Sequence, residues 1–567
     1  MTEHVRNRPT REKPGRPLKI KIATIRAISA AVMMVLFILF FMDVHPATTG
    51  FLGQTVAGFQ FFTSLVGLAS GSMKATLLFT LLLLLSMVFG RIYCAVLCPL
   101  GIFQDMMIFL SRRYGKRKGI YPKHPKSYPF LWYAILMLTA LLFFAGSLIL
   151  INVLDPFSIF GRFCTLLILA VLSGMNNLLV SLTEHFHLFI LTPVTPGPVL
   201  WPLFFITYAW LIMVTFMAFY HGRLYCNTLC PVGAFFSLFS RVALFRFSID
   251  EKRCTACGKC GRICRAGCVD PVGGSIDLAR CVACFDCMDV CPENAITYRA
   301  PALSTREPLQ TRRPHSSCPA VRGATALSAK EMPQALMNKG VQKRQFLLTS
   351  LAAGGGIMAL GLPLGTALAR ITWESPALPF PVTPPGSLGV EHFSRNCVAC
   401  LACVSVCPEN VIQPGLTDYG MAGIIQPGLD FTRSRCAYTC RACTLVCPSG
   451  AILPLSLEKK QRTRIARVVF KEKRCLVHTH KRDCGACAEV CPTHAVHTIR
   501  ENNIHHPRLK PDACIGCGAC QQVCPVNPKA IYVEAARVHE TAAPPFFQKQ
   551  EEKTPEKGMG PGDDFPF

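Results

Sequence analysis

The chain is short of acid. Only 33 Asp and Glu stand against 59 Lys and Arg, and charged residues make up 16% of the 567 positions. An ordinary soluble protein carries about 25%. With 51% apolar residues and a mean hydropathy of +0.35, this argues against a wholly soluble chain and excludes a disordered one. There is no Cys-x-x-Cys-His anywhere, so covalent haem is not encoded. No glycine-rich dinucleotide fingerprint follows a strand, so a nicotinamide or flavin as direct partner is unsupported. Nucleic-acid motifs are also missing, and the net charge of +26 therefore points to a membrane surface rather than to nucleic acid.

Cysteine is abundant, with 31 residues. Disulfide scaffolds are small secreted domains, which this long apolar chain is not. Zinc sites use two close pairs separated by a dozen or more residues. Here the spacing is Cys-x2-Cys-x2-Cys-x3-Cys, at Cys254, Cys257, Cys260, Cys264 and again at Cys281, Cys284, Cys287, Cys291. It returns at Cys397, Cys400, Cys403, Cys407 and at Cys514, Cys517, Cys520, Cys524. Two variants open with longer gaps: Cys436, Cys440, Cys443, Cys447 and Cys475, Cys484, Cys487, Cys491. Three thiolates on a compact loop wrap one face of a cubane cluster, and the fourth reaches the other cluster of a pair. The expectation is about six [4Fe–4S] clusters held by these 24 cysteines as iron ligands. Each first-to-third set takes its fourth ligand from the partner motif, so Cys291 joins Cys254 and Cys264 joins Cys281. Likewise Cys447 joins Cys397, Cys407 joins Cys436, Cys524 joins Cys475, and Cys491 joins Cys514. Cys264 or Cys268 can be the fourth ligand of its cage, and spacing favours Cys264. His478 and His480 lie inside the long gap and read as solvated loop residues. Clusters without a substrate-pocket signature mean electron transfer.

Before these motifs the chain is apolar and helical. Spans are expected at Ile22–Val44, Met73–Gly90, Tyr128–Val153 and Trp201–Tyr220, each long enough or nearly so for the hydrocarbon core. Phe160–Leu182 carries Gly174, Asn176 and Asn177 and is read as re-entrant or surface-lying, as are residues 51–70. Basic residues flank the first span and fill Ser111–Lys126, which holds no acid. That puts both on the cytoplasmic side. The fold class is thus an α-helical membrane domain of four spans plus one further span, with α+β dicluster-ferredoxin modules. The boundaries are a basic N-terminus 1–21, the membrane domain 22–240, a dicluster domain 241–300, a linker 301–342, a signal or anchor span 343–369, a four-cluster domain 370–540 and a disordered tail 541–567.

A repeat sits inside the membrane domain. Gly90-Arg-Ile-Tyr-Cys-Ala-Val-Leu-Cys-Pro-Leu-Gly101 recurs at Gly222–Gly233, identical at eight of twelve positions. It brings Cys94, Cys98, Cys226 and Cys230 to equivalent places, and on one continuous helix each pair would share a face. These four thiols are the candidate catalytic set. They could bind a metal, form redox-active disulfides or touch a quinone headgroup. Asp155, Glu184, His185 and His187 are candidate proton acceptors. Cys164, Cys268 and Cys318 have no role assigned by spacing alone.

These motifs carry a resemblance. Residues 20–298 resemble the NapH-type membrane quinol dehydrogenase component and, in part, the NosR family. Residues 340–533 resemble the NapG/MauM-type four-cluster ferredoxin, which follows a twin-arginine signal. Here that signal is Lys343-Arg344 with Phe346-Leu347, read as a retained anchor, with cleavage near Ala367-Leu368-Ala369 as the alternative. The resemblance implies a bacterial inner-membrane protein that oxidises quinol from the pool and hands electrons to a periplasmic cytochrome or reductase, such as a nitrate reductase system. It also implies cytoplasmic residues 1–21 and 241–342 and periplasmic residues 370–567. Two other readings are a redox sensor or maturation scaffold supplying electrons to a partner metalloenzyme, and a chain with both cysteine blocks in the cytoplasm and quinone as acceptor.

Overall fold

The computed structural model describes residues 22–42, 51–118, 128–187, 192–194, 200–270, 273–300, 380–501 and 504–546. The basic N-terminus, the linker, the 343–369 span with its export motif, and the tail beyond residue 546 lie outside the described residues, as does Cys318.

Among the described residues three helices are long and apolar enough to cross a membrane: Ile22–Met42, Pro156–His185 and Trp201–His221. Such helices are compatible with a membrane protein. Two further expected spans form shorter apolar helices, Met73–Phe89 and Pro129–Phe144. The segment expected to be re-entrant is instead one continuous 30-residue helix, Pro156–His185, with a π-helical turn at Cys164–Ile168. Its polar residues do not break it because they bond the returning chain. Asn176 Nδ2 donates to the Thr192 carbonyl, and Asn177 exchanges two hydrogen bonds with Val194. Residues 51–70 fold as two short, largely buried helices, Phe51–Gly58 and Phe61–Ala69.

The repeat folds the same way twice, for local reasons. Gly90 (φ 75°) and Gly222 (φ 69°) take the positive φ that glycine allows, and there Met73–Phe89 and Trp201–His221 end. A single turn follows, Tyr93–Val96 in one copy and Leu224–Thr228 in the other. Then Pro99 and Pro231 start new helices, Pro99–Lys118 and Pro231–Ser240, where a missing N–H costs nothing. The residue before proline is pushed out of the helical region. Each cysteine pair is therefore split across two helices rather than sharing one face: Cys230, extended at ψ 114°, caps the helix after it.

The cysteine blocks are built from two-stranded antiparallel ribbons and short helices. Arg246–Ile249 pairs with Ile296–Arg299 around the first block. In the second, Thr463–Phe470 pairs with Ile531–Thr541, Val496–Glu501 with Ile504–Leu509, and Ile412–Pro414 with Pro427–Leu429.

The two blocks sit at opposite ends of the helical domain. Ala23, in the first turn of Ile22–Met42, packs on Phe247 and Phe285 of the first block. Phe37, Phe40 and Phe41, in its last turns, pack with Ala402, Val406 and Val446 of the second. That helix is about 30 Å long at 1.5 Å per residue. Trp201–His221 repeats the arrangement. Leu203 meets Ala399 and Leu401 at one end, and just past the other end the Arg223 N–H donates to the Arg265 carbonyl at 2.9 Å.

Candidate functional site

The regular cysteine loops share one backbone device. The second residue after the first cysteine and the residue after the second cysteine are left-handed: Ala256 and Gly258, Ala283 and Phe285, Ala399 and Leu401, Gly516 and Gly518, all with φ between 51° and 74°. Non-glycine residues rarely adopt this conformation. Paying that strain curls the loop so that three thiols face one centre. The third cysteine then opens a short helix, and the fourth ends it in extended conformation, as at Cys264, Cys291, Cys447 and Cys524.

In the first block, Cys254, Cys257, Cys260 and Cys291 line one cavity. Cys281, Cys284 and Cys287 line a second, together with both Cys264 and Cys268. The two contenders stand 3.4 Å apart, sulfur to sulfur. Cys264 Sγ accepts the Cys268 N–H at 3.3 Å, as Cys291 Sγ accepts that of Ala295 at 3.3 Å. Cys268, the alternative that spacing disfavoured, is thus a fifth thiol beside this cage.

In the second block, burial pushes Cys403 well up and Cys397, Cys400 and Cys447 press on it electrostatically. Cys443 is raised likewise, by burial and by Cys436, Cys407 and Cys440. Cys520 groups with Cys517, Cys514 and Cys491, and Cys487 with Cys484, Cys475 and Cys524. Each group joins three thiols of one motif to the fourth of its partner. The Cys436 N–H donates to the Cys517 carbonyl at 2.9 Å, so the two cage pairs abut. His478 packs on Phe470 and His506, and His480 is exposed.

Burial pushes Cys400 up to about 12 and Cys436 and Cys517 to about 11. Such thiols give up their protons when a cation takes the sulfur. Among the described residues every cysteine is free, and no three His, Cys, Asp or Glu side chains converge closely enough for a single metal ion. Soft sulfur donors in fours, spread more widely than one ion needs, fit a cubane iron–sulfur cluster.

The four repeat thiols meet inside the helical domain. Cys98 is within electrostatic reach of Cys94 and Cys226, and Cys230 of all three others. The copies clasp each other reciprocally. Arg91 donates to the Cys226 carbonyl at 3.2 Å, and Arg223 to the Cys94 carbonyl at 2.6 Å. Gly101 and Gly233 leave room for this exchange: a Cβ on Gly101 would overlap the Cys94 carbonyl, and one on Gly233 the Cys226 carbonyl. Gly233→Ala is expected to destabilise the protein by about 1–3 kcal/mol, the usual cost of overpacking, read as a lower melting temperature in detergent.

Sequence reasoning missed the anchor of this region. Asp105 Oδ2 pairs with Arg26 and Arg265, and Oδ1 with Arg223, each at 2.8 Å. Burial alone would raise its carboxyl; Arg223, Arg265 and Arg26 outweigh that and hold it at about 2. Arg265 also pairs with Asp286 at 2.6 Å, so Asp105 is one of the ties between the first cysteine block and the helices, beside Arg112, which also pairs with Asp286. Asp155 is buried too, but caps its own helix, accepting from Ser158 N at 2.9 Å and Oγ at 2.7 Å. Glu184, His185 and His187 are exposed.

Family comparisons find 4Fe-4S domains in several stretches of the chain. A 4Fe-4S binding domain matches residues 75–117 and 203–250, where the only cysteines are the four repeat thiols. Another matches 281–295, and 4Fe-4S dicluster domains match 396–452 and 482–527. The chain is 35% identical over 60 residues, 10% of its length, to an uncharacterized protein of Methanocaldococcus jannaschii, spanning about a quarter (24%) of that relative. It is 29% identical over 136 residues, 24% of its length, to the ferredoxin-type protein NapF of Escherichia coli, covering 74% of that protein. No solved structure matches. With its grouped thiols, the chain is an iron–sulfur electron-transfer protein of the ferredoxin type, carrying an apolar helical domain.

Proposed function

We propose that the chain is a quinol-oxidising relay of the bacterial inner membrane, resembling NapH fused to NapG, which passes electrons through its clusters to a periplasmic redox partner such as a nitrate reductase system. The 24 ferredoxin cysteines hold the clusters, with Cys264 as fourth ligand of its cage. Bound there, the clusters supply one-electron acceptors and donors.

The observation that carries the quinol reading is a cleft open to the side of the helical domain. It is lined by Phe163, Leu166, Leu167, Phe204, Thr207, Tyr208 and Leu211. Thr207 is 6% exposed, and its hydroxyl has no hydrogen-bond partner among the described residues. The groove holds only about 200 Å³ of empty space, open solvent included, so a quinol ring would lie along its apolar rim with its oxygen at the free Thr207 hydroxyl. The π-helical turn that forms one wall is a feature often found at functional sites. Leu166 packs beside Ala399 and Leu401, flanking Cys400, so electrons leaving the cleft enter the second block at its nearest cage.

The test is anaerobic. Short-chain menaquinol mixed with the oxidised full chain should bleach part of the visible cluster absorbance rapidly, with dithionite giving full reduction. Bleaching by dithionite alone would refute the quinol reading. Thr207→Val keeps the shape and removes the hydroxyl. It is expected to slow quinol bleaching about tenfold, the worth of one hydrogen bond of ~1.4 kcal/mol, and to leave dithionite bleaching unchanged.

A further inference from the structure

Among its described residues the second block buries one charged side chain, Lys460, at 2% exposure. We infer that Lys460 sets the reduction potentials on both sides of the seam between the cage pairs of this block, and makes that seam the place where its electrons collect. The inference rests on the cluster cages but not on quinol as the donor.

Three observations carry it. The first is where the ammonium sits. Lys460 lies in the short helix Leu457–Gln461. Its Nζ donates to the Ala437 carbonyl and, at 3.2 Å, to that of Tyr438. Both carbonyls belong to the widened gap between Cys436 and Cys440. The regular cysteine loops are curled by left-handed residues, but between Cys436 and Cys447 no residue has a positive φ. Here the lysine gathers two carbonyls of the loop onto one cation instead.

The second is a charge without a counter-ion. Among the described residues the Lys460 ammonium bonds those two carbonyls and pairs with no carboxylate. Arg464 makes the contrast. Its Nε donates to the Cys514 carbonyl at 3.2 Å, and its charge is met by Glu540 at 3.1 Å. A buried charge needs an opposite charge. A cubane ligated by four thiolates is anionic and gains one more negative charge on reduction. The cages thus supply what Lys460 lacks, and a fixed cation beside them favours the reduced, more negative state.

The third is the seam itself. The Cys436 N–H donates to the Cys517 carbonyl at 2.9 Å, and Gln522 Nε2, from the Cys514 motif, to the Arg433 carbonyl at 3.0 Å. Lys460 bears electrostatically on Cys436 and Cys443 on one side and on Cys517 on the other. One cation serves two cages. Each electron that crosses oxidises the cage of Cys436 by one and reduces that of Cys514 by one, with no bond or proton exchanged.

The experiment is a redox titration of the full chain with dithionite, read by EPR, after iron and acid-labile sulfide have been measured. It compares the wild type with Lys460→Met, Lys460→Gln and Lys460→Arg. Met keeps the stem without the charge, Gln keeps a donor without the charge, and Arg keeps the charge. Cys443→Ser and Cys520→Ser mark the two seam components by removing or altering them, and Cys524→Ser marks the cage of Cys475. In both neutral variants the seam cages are expected to hold their electrons about tenfold less well, a fall of about 59 mV for one electron. The Cys475 component should stay in place, and Lys460→Arg should keep the wild-type values. Seam midpoints unchanged in the neutral variants would overturn the proposal. So would an equal fall in every cage, or a fall in Lys460→Arg as large as that in Lys460→Met, which would mean a role in packing alone. Should both neutral variants shed a seam cluster, the wild type decides. Seam components reduced at a higher potential than the Cys475 component uphold the proposal, and an equal or lower potential overturns it. Quinol enters none of these measurements, so a failed quinol bleach refutes the donor and leaves the seam untouched.

Discussion

Cys447→Ser is expected to cut the second block off from its electron supply. Cys447 groups with Cys397, Cys400 and Cys403, from the far side of its own motif, and serine is a poor replacement where a soft sulfur ligand is needed. The variant should lose one cluster, and this is the cluster nearest the helices, because Ala402 and Val406 of the same loop pack on Phe37 and Phe41. The three cages beyond it should then stay oxidised when quinol is added and still bleach with dithionite. Cys524→Ser makes the contrast. It belongs to the cage of Cys475, Cys484 and Cys487, which joins the string through the cage abutting Cys436. Its loss should remove one cluster's iron and leave the other second-block clusters as quick to bleach with quinol as before. Equal behaviour of the two variants would mean that electrons do not enter at the Cys400 end.

Asp105→Asn is expected to be the most destabilising single change in the helical domain. It removes one charge and strands three. Arg26 and Arg223 are 6% and 0% exposed, and the Arg265 side chain is 15% exposed. Breaking a buried ion pair from one side costs about 3–5 kcal/mol, a large part of the roughly 5–15 kcal/mol by which domains are stable. The readouts are a lower melting temperature and easier loss of the first block's clusters, since Arg265 is one of that block's tethers. The pH dependence follows from the sign of the shift. The carboxyl is held at about 2, below its usual 3.8. Its stabilisation is therefore complete above about pH 4 and lost only as the pH falls through 2, so mild acid should leave the hub intact.

Much of this was written in local spacing, and spacing is what the sequence displays well. The cysteine intervals anticipated which thiols would meet, because a cluster loop is built from a few consecutive dihedral choices. The repeat could be read for the same reason, though the proline that makes it recognisable also splits each cysteine pair across two helices. What escaped was long-range. Asp105 looks like an ordinary helical acid until Arg26, Arg223 and Arg265 converge on it from 79, 118 and 160 residues away. Thr207 is one hydroxyl among many until the wall opposite leaves it unpaired. Asn176 and Asn177 suggested a broken segment, and the chain that satisfies them returns only some 16 residues later. The extra thiol at Cys268 was visible, but only the fold shows that it shares a cage with Cys264.

The aromatic collar formed by Phe37, Phe40, Phe41, Phe157 and Phe160 has a consequence for biogenesis. It is covered by Ala402, Val406 and Val446, residues that leave the ribosome long after the helices do. Until the second block arrives, the helical half presents sticky rings at its end, where a chaperone or a stray strand can seize them. Making both halves as one polypeptide fixes their stoichiometry at one to one. It also keeps the docking partner tethered at an effective concentration that free subunits, diluted over a cell, would have to match by overproduction.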